Sequence, residues 1–156
     1  MFKVATLRNT SRPRRGTNLL SESGVAAIEF AFLAPVLLMM VIGLCQFALV
    51  LSNYLTLESA VAAGARALAI SRGDSTPVTD TQNQVFASAA NLNTANISLS
   101  YSVNGSTCSS NATCSSALAS GVPANVAATY PCNLVVMGTN FLPGCTLSAA
   151  ETERVE

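Results

Sequence analysis

From Val25 to Leu51 the chain reads VAAIEFAFLAPVLLMMVIGLCQFALVL, and in that whole run Glu29 is the only ionisable carboxylate or amine. A helix crosses the hydrocarbon core of a bilayer in roughly 20 apolar residues at about 1.5 Å each, so the block is long enough to span a membrane with some tilt. The alternative is the core helix of a soluble domain. Composition favours the membrane: half of the 156 residues are hydrophobic and only 10% are charged, against about 25% charged in an ordinary soluble domain.

The zero net charge hides an asymmetry on either side of this block. Before Val25 stand Lys3, Arg8, Arg12, Arg14 and Arg15 against Glu22, five basic residues to one acid, which is +4 and leaves −4 for the rest. Basic residues beside a span stay cytoplasmic, so the N-terminus is expected inside and the C-terminus exported. So short a basic arm, with no basic fold behind it, makes nucleic acid an unexpected partner.

Cysteine usage agrees with export. Cys45 falls inside the apolar block, whereas Cys108, Cys114, Cys132 and Cys145 follow it. Four cysteines facing an oxidising compartment suggest two disulfides, with three connectivities open. The pairing Cys108–Cys114 with Cys132–Cys145 is expected, because each bond closes a short local loop. Zinc is the competing use of four cysteines, but the sequence has no CxxC pair and no histidine.

These features divide the chain into a leader (residues 1–24), a membrane helix (25–51), a helical stem (52–72) and an exported domain (73–156). The leader is polar and basic, is broken by Pro13, and reads as disordered. The helical pattern runs from Val25 to a stop signal at Gly73-Asp74. Within it Pro35 removes the bond to the carbonyl of Ala31 and should kink or loosen the helix. Ala27 and Ala31, four apart, form a small-xxx-small pair suited to helix contacts. In the stem Tyr54, Leu57, Val61, Ala65 and Leu68 recur every three or four residues. That stripe is expected to pack on the exported domain, or else on a neighbouring subunit.

Beyond Gly73 the composition turns to Ser, Thr and Asn. Thr76-Pro77 reads as an N-cap and first helical residue, followed by Val78, Val85, Ala89 and Leu92 on one helical face. Ile97, Leu99, Tyr101 and Val103 alternate with serines, a half-buried strand that ends at an Asn104-Gly105 turn. Further strands are expected at Asn125–Tyr130, Leu134–Met137 and Thr146–Val155, and a cysteine-stapled loop at Ser106–Gly121. The fold class is therefore α+β: a long N-terminal membrane-spanning helix packed on a small, mostly antiparallel sheet in a disulfide-bearing exported domain.

The leader boundary reads Gly24-Val25-Ala26-Ala27-Ile28-Glu29-Phe30. Glycine, four mostly apolar residues, glutamate and an aromatic, opening a membrane helix behind a basic leader, resemble the processing site of type IV pilin-like proteins. More narrowly, Glu29 to Leu38, with Phe30-Ala31 and then Pro35, resembles the TadE-like pseudopilins of the tight-adherence pilus system. The likeness extends to about Arg72 and is echoed in the closing Arg-Val-Glu. It implies a bacterial inner-membrane protein with its C-terminal domain in the periplasm. It also implies cleavage between Gly24 and Val25 by a prepilin peptidase, leaving 156 − 24 = 132 residues, with Val25 as the new amine and Glu29 as the fifth residue.

In such families the matching glutamate meets the amine of a neighbouring subunit, and Glu29 and Phe30 would take part in that assembly. The simpler reading of Glu29 is a carboxylate that reaches the headgroups and favours the positive end of the helix. A sizeable exported domain points to a minor pseudopilin. Its partners would be other pilins or pseudopilins and the assembly machinery.

Rival classes fit less well. A cleaved secretory signal, with Ala60-Val61-Ala62 as its site, would need an apolar core of about 7 to 15 residues, far shorter than this one. A lipoprotein signal is disfavoured by Leu44 before Cys45. A single-pass anchored binding protein unrelated to pili is the remaining alternative, and the acceptor-like triplets at Asn96, Asn104 and Asn111 add little in so Ser/Thr-rich a stretch. For an enzyme the chain offers no histidine-based dyad and no paired acids, and no cofactor-binding pattern is present.

Overall fold

The structure, a computed structural model, describes residues 19–132, 135–136, 138–140 and 142–156. The first helix, α1, covers Leu19–Ile70. It begins six residues before Val25, so the end of the expected disordered leader is helical; residues 1–18 lie outside the described residues. Between Leu19 and Val25 the only unfavourable residue is Gly24. A glycine costs about 1 kcal/mol relative to alanine, too little to end a helix with so much apolar sequence after it. The helix assignment also runs unbroken past Pro35.

The chain divides into two units, Met1–Met40 and Val41–Glu156. In its described part the first is a single run of α1, with Ile28, Phe30, Phe32, Val36 and Leu38 all exposed. The second holds the remainder of α1 and everything after it. Here the expected stem stripe is buried from Leu57 onward and half-buried at Tyr54: Leu57, Val61, Ala65 and Leu68 are inaccessible, as is Ala60, and Ala69 nearly so. With Gly64 they follow the i, i+3, i+4, i+7 spacing of one helical face. Each buried leucine or valine contributes roughly 1.5 to 3 kcal/mol, so this stripe is a main anchor of the domain.

Helix α2 (Pro77–Ser88) lies across α1 where Gly64 leaves room. A Cβ on Gly64 would overlap Cγ2 of Val85 and lie 3.8 Å from Cγ1 of Val126. Thr81, beside it, is fully buried, and its hydroxyl has no partner among the described residues. The N-terminus of α2 departs from expectation. Thr76 occupies the cap position, yet its hydroxyl donates to Asp80 Oδ2 (2.8 Å) and caps no backbone group. The cap comes from Asn111, whose Oδ1 accepts from Val78 N (2.8 Å) and Thr79 N (3.2 Å). A 3-10 turn, Thr94–Asn96, then leads into the sheet.

Strand β1 (Ser98–Val103) buries Tyr101 and Val103 and turns its serines outward. It pairs with β2 (Ser106–Thr107) through Asn104 and Gly105, which have φ of 52° and 77°. Positive φ at both central residues gives the two-residue hairpin turn that the Asn-Gly dipeptide favours. Residues 106–121 are not the simple loop expected. They contain β2 and helix α3 (Asn111–Ala117), which opens with a capping box between Ser110 and Thr113. That Ser-x-x-Thr box was legible only as generic polar sequence, because its acceptor at the third position is threonine instead of the usual Glu or Gln.

Strands β3 (Pro123–Pro131) and β6 (Thr146–Arg154) complete an antiparallel sheet of order β2-β1-β3-β6. Ala124, Val126 and Ala128 on β3 and Ala149 on β6 face the helices. Of the strand expected at Leu134–Met137 the described residues form β4 (Val135–Val136), which pairs with β5 (Thr139–Asn140) in a sheet of its own; Leu134 and Met137 lie outside the described residues. The architecture is α+β, a long apolar helix and a small antiparallel sheet, with two disulfides in the segments after the helix. Cys108 bonds to Cys114 and Cys132 to Cys145, with Cα atoms 5.2 and 5.1 Å apart.

Candidate processing and assembly site

The residues singled out at the leader boundary all lie on α1 and all face outward. Gly24 has nothing within 4 Å of where a Cβ would sit, Val25 is 58% exposed, Phe30 is 67% exposed, and Glu29 is exposed. Gly24 and Val25 therefore sit in helical backbone. A peptidase, which holds its substrate extended, would have to unwind this turn, and glycine is the residue that makes unwinding easiest.

Helical geometry then sets the spacing of the charges. Val25 and Glu29 are four residues apart, one above the other on one face with about 6 Å of rise between them. An amine created at Val25 would be one turn from the Glu29 carboxylate of its own chain. It would be equally available to a carboxylate on a helix packed alongside. Phe30 lies about 100° further round and does not share that face. Among the described residues Glu29 makes no ion pair; the pair present is Arg66 with Glu153, Nε to Oε1 at 3.7 Å and exposed on both sides. Such a surface pair contributes little.

The four cysteines that follow α1 serve the scaffold. Cys108–Cys114 fastens the end of β2 to α3, and both residues are buried. Cys132–Cys145 closes the base of the β4–β5 hairpin, where Cys132 N also donates to Cys145 O (3.0 Å). Cys45 is unpaired and exposed on α1. Among the described residues no cluster of His, Cys, Asp or Glu is arranged to hold a metal ion. What sequence reasoning missed here is structural: the cap from Asn111 and the contact at Gly64 each join segments far apart in the chain.

A family model described as TadE-like protein matches residues 24–66. The segment Gly24–Arg66 is TadE-like. The match starts at Gly24 and ends at Arg66, so it covers the apolar run and most of the buried stem stripe. Among the described residues one helix, within Gly24–Ile70, is long and apolar enough to cross a membrane, and its most apolar part is exposed. No curated protein and no solved structure matches the chain.

Proposed function

We propose that this TadE-like protein is a minor pseudopilin: a non-catalytic, single-pass subunit that a prepilin peptidase cuts between Gly24 and Val25 and that acts in assembly of a tight-adherence pilus. The observation that carries the reading is the register of Gly24, Val25 and Glu29 on an exposed helix, at the first residues of the TadE-like match. The arginine-rich leader keeps the N-terminus in the cytoplasm of a bacterial cell and places the disulfide-bearing domain in the periplasm.

The chemistry follows from the medium. A carboxylate at the centre of a bilayer costs roughly 2.5 to 3.5 kcal/mol on insertion scales and less toward the edge where Glu29 lies, a cost that a nearby positive charge offsets. Cleavage supplies an amine one helical turn away. In a bundle of such helices, the Val25 amine of one subunit and Glu29 of the next neutralise each other where water is scarce and the attraction is strong. Phe30 and the exposed residues below it provide the apolar contact between neighbours.

Intact-mass measurement of the protein from cells with and without the peptidase tests the processing step. The expected result is a chain starting at Val25 only when the peptidase is present. A chain retaining Met1 in both would exclude it.

A further inference from the structure

Helix α3 is too short to hold itself. It has seven residues, well below the roughly 12 to 15 at which an isolated helix becomes even marginal in water. Its one buried residue is Cys114, bonded to Cys108 at the end of β2. Cys108 is in turn fixed to the sheet, its N–H donating to Tyr101 O of β1 (3.0 Å). The disulfide is therefore the covalent tie between α3 and the sheet.

From α3 the linkage passes to α2. Asn111 Oδ1 accepts from Val78 N and Thr79 N, and Ser115 Oγ donates to Asp74 O just ahead of the helix. The N-cap residue of α2, Thr76, makes no side-chain cap bond. The inner face of α2 carries a cost as well. Thr81 is fully buried beside Gly64 and Val85, and its hydroxyl has no partner among the described residues. A buried hydroxyl that gains no hydrogen bond favours release of the element that carries it. Helix α2 is thus seated by an apolar contact and a borrowed cap, against an unpaired polar group of its own.

We propose that Cys108–Cys114 is a redox latch on α2. Closed, the bond holds α3 where Asn111 caps α2 on α1; open, it frees α3, and α2 leaves its place beside Gly64. A hollow of about 230 Å³ is lined by Leu99, Tyr101, Thr107 and Cys108, whereas Cys114 is inaccessible, so an exchanging thiolate reaches Cys108 first. To open the latch, one thiolate of a dithiol attacks the Cys108 sulfur and the Cys114 thiolate leaves. The second thiolate of the dithiol then displaces Cys108. The dithiol departs as a disulfide, and the two cysteines take up its two protons. Closing is the reverse exchange, with a disulfide as the oxidant. The cellular sense of the latch rests on export of the domain: the thiols stay reduced in the cytoplasm, and oxidation closes the latch after the chain has crossed.

A latch and a plain crosslink differ in what they stabilise. A crosslink acts by restricting the unfolded chain, and Cys132–Cys145, with its cysteines 13 apart in sequence, would then stabilise the domain at least as much as Cys108–Cys114, with 6. A latch acts on α2 alone. Hydrogen exchange of the full-length protein in detergent, read by mass spectrometry over α2, β3 and β6, separates the two. Replacing both latch cysteines, Cys108→Ala with Cys114→Ala, is expected to speed exchange in α2 about tenfold and in β3 and β6 less than about twofold. Cys132→Ala with Cys145→Ala is expected to leave α2 unchanged. Asn111→Ala should speed α2 in the oxidised protein and add nothing once the latch cysteines are gone, because the cap has already left.

Unchanged exchange in α2 after loss of Cys108 and Cys114 would overturn the latch. Equal acceleration of α2, β3 and β6 would overturn it in favour of a general crosslink, as would additive effects of Asn111→Ala and the latch pair. Should the latch pair prove too unstable to measure, the Cys132→Ala, Cys145→Ala protein, which keeps the latch bond, is titrated with dithiothreitol. There α2 is expected to loosen before the sheet, and simultaneous loss would overturn the proposal. None of these outcomes depends on where the domain resides in the cell.

Discussion

Gly64 shows how one residue admits a whole element. It is the point where α2 comes close enough to α1 for Val85 to sit over bare backbone. Replacing it by alanine gains about 1 kcal/mol of helix propensity. Against that, the new methyl meets Cγ2 of a β-branched residue that is locked in one rotamer on a helix and cannot swing aside. Overpacking of this kind costs about 1 to 3 kcal/mol, so the net effect of Gly64→Ala is a lower melting temperature. Adding Val85→Ala should recover part of the loss, a coupling that thermal melts of the two single and one double variant would measure.

Tyr101 makes a pH-dependent prediction at the same scale. It is almost fully buried on β1, and burial raises its phenol above the ordinary value of 10.0. A raised pKa in the folded state gives a contribution that is complete below pH 10 and is lost as pH rises through the folded value. Stability should therefore fall above pH 10, and Tyr101→Phe should flatten that fall in denaturant titrations at pH 9 to 11.

At the scale of elements, α2 is held by what surrounds it more than by its own sequence. Its first turn contains no side chain that satisfies its free N–H groups, and Asn111 at the start of α3 does so from 33 residues away. Asn111 also donates to Thr79 Oγ1 (3.0 Å), and Ser115 Oγ donates to Asp74 O (3.0 Å). Helix α3 is in turn fastened by Cys108–Cys114. Loss of an N-cap acceptor costs about 0.5 to 2 kcal/mol, the expected destabilisation of Asn111→Ala. Asn111→Asp keeps the acceptor and adds a charge that suits a helix N-terminus, so it should be the milder change. Thermal unfolding of the oxidised protein in detergent compares the two, and equal losses would refute the capping role.

For the whole molecule, the central question is whether Glu29 acts within one chain or between chains. Glu29→Gln removes the charge and keeps the shape. Under the assembly role, insertion and cleavage should be nearly normal while recovery of partner pseudopilins and surface pili falls several-fold, a loss of about 1 kcal/mol or more in association. If Glu29 only reaches the headgroups, insertion becomes slightly easier and assembly is unchanged. Co-purification at matched protein level separates the two outcomes.

The sequence alone determined the features whose causes are local. The apolar length of Val25–Leu51 defines a possible span, the three-and-four spacing from Leu57 to Leu68 defines the buried face of the stem, and the alternation before Asn104-Gly105 defines β1 and its turn. In each case the period or the turn chemistry lies within one stretch of chain. Tertiary structure decided what depends on distant partners. The cap on α2 comes from Asn111 and not Thr76, because Asp80 draws the Thr76 hydroxyl away. The room for Val85 comes from Gly64. Residues 106–121 form β2 and α3 because β1 offers an edge and Cys114 reaches Cys108. None of these is periodic in sequence, since each depends on which surfaces meet once the chain has folded.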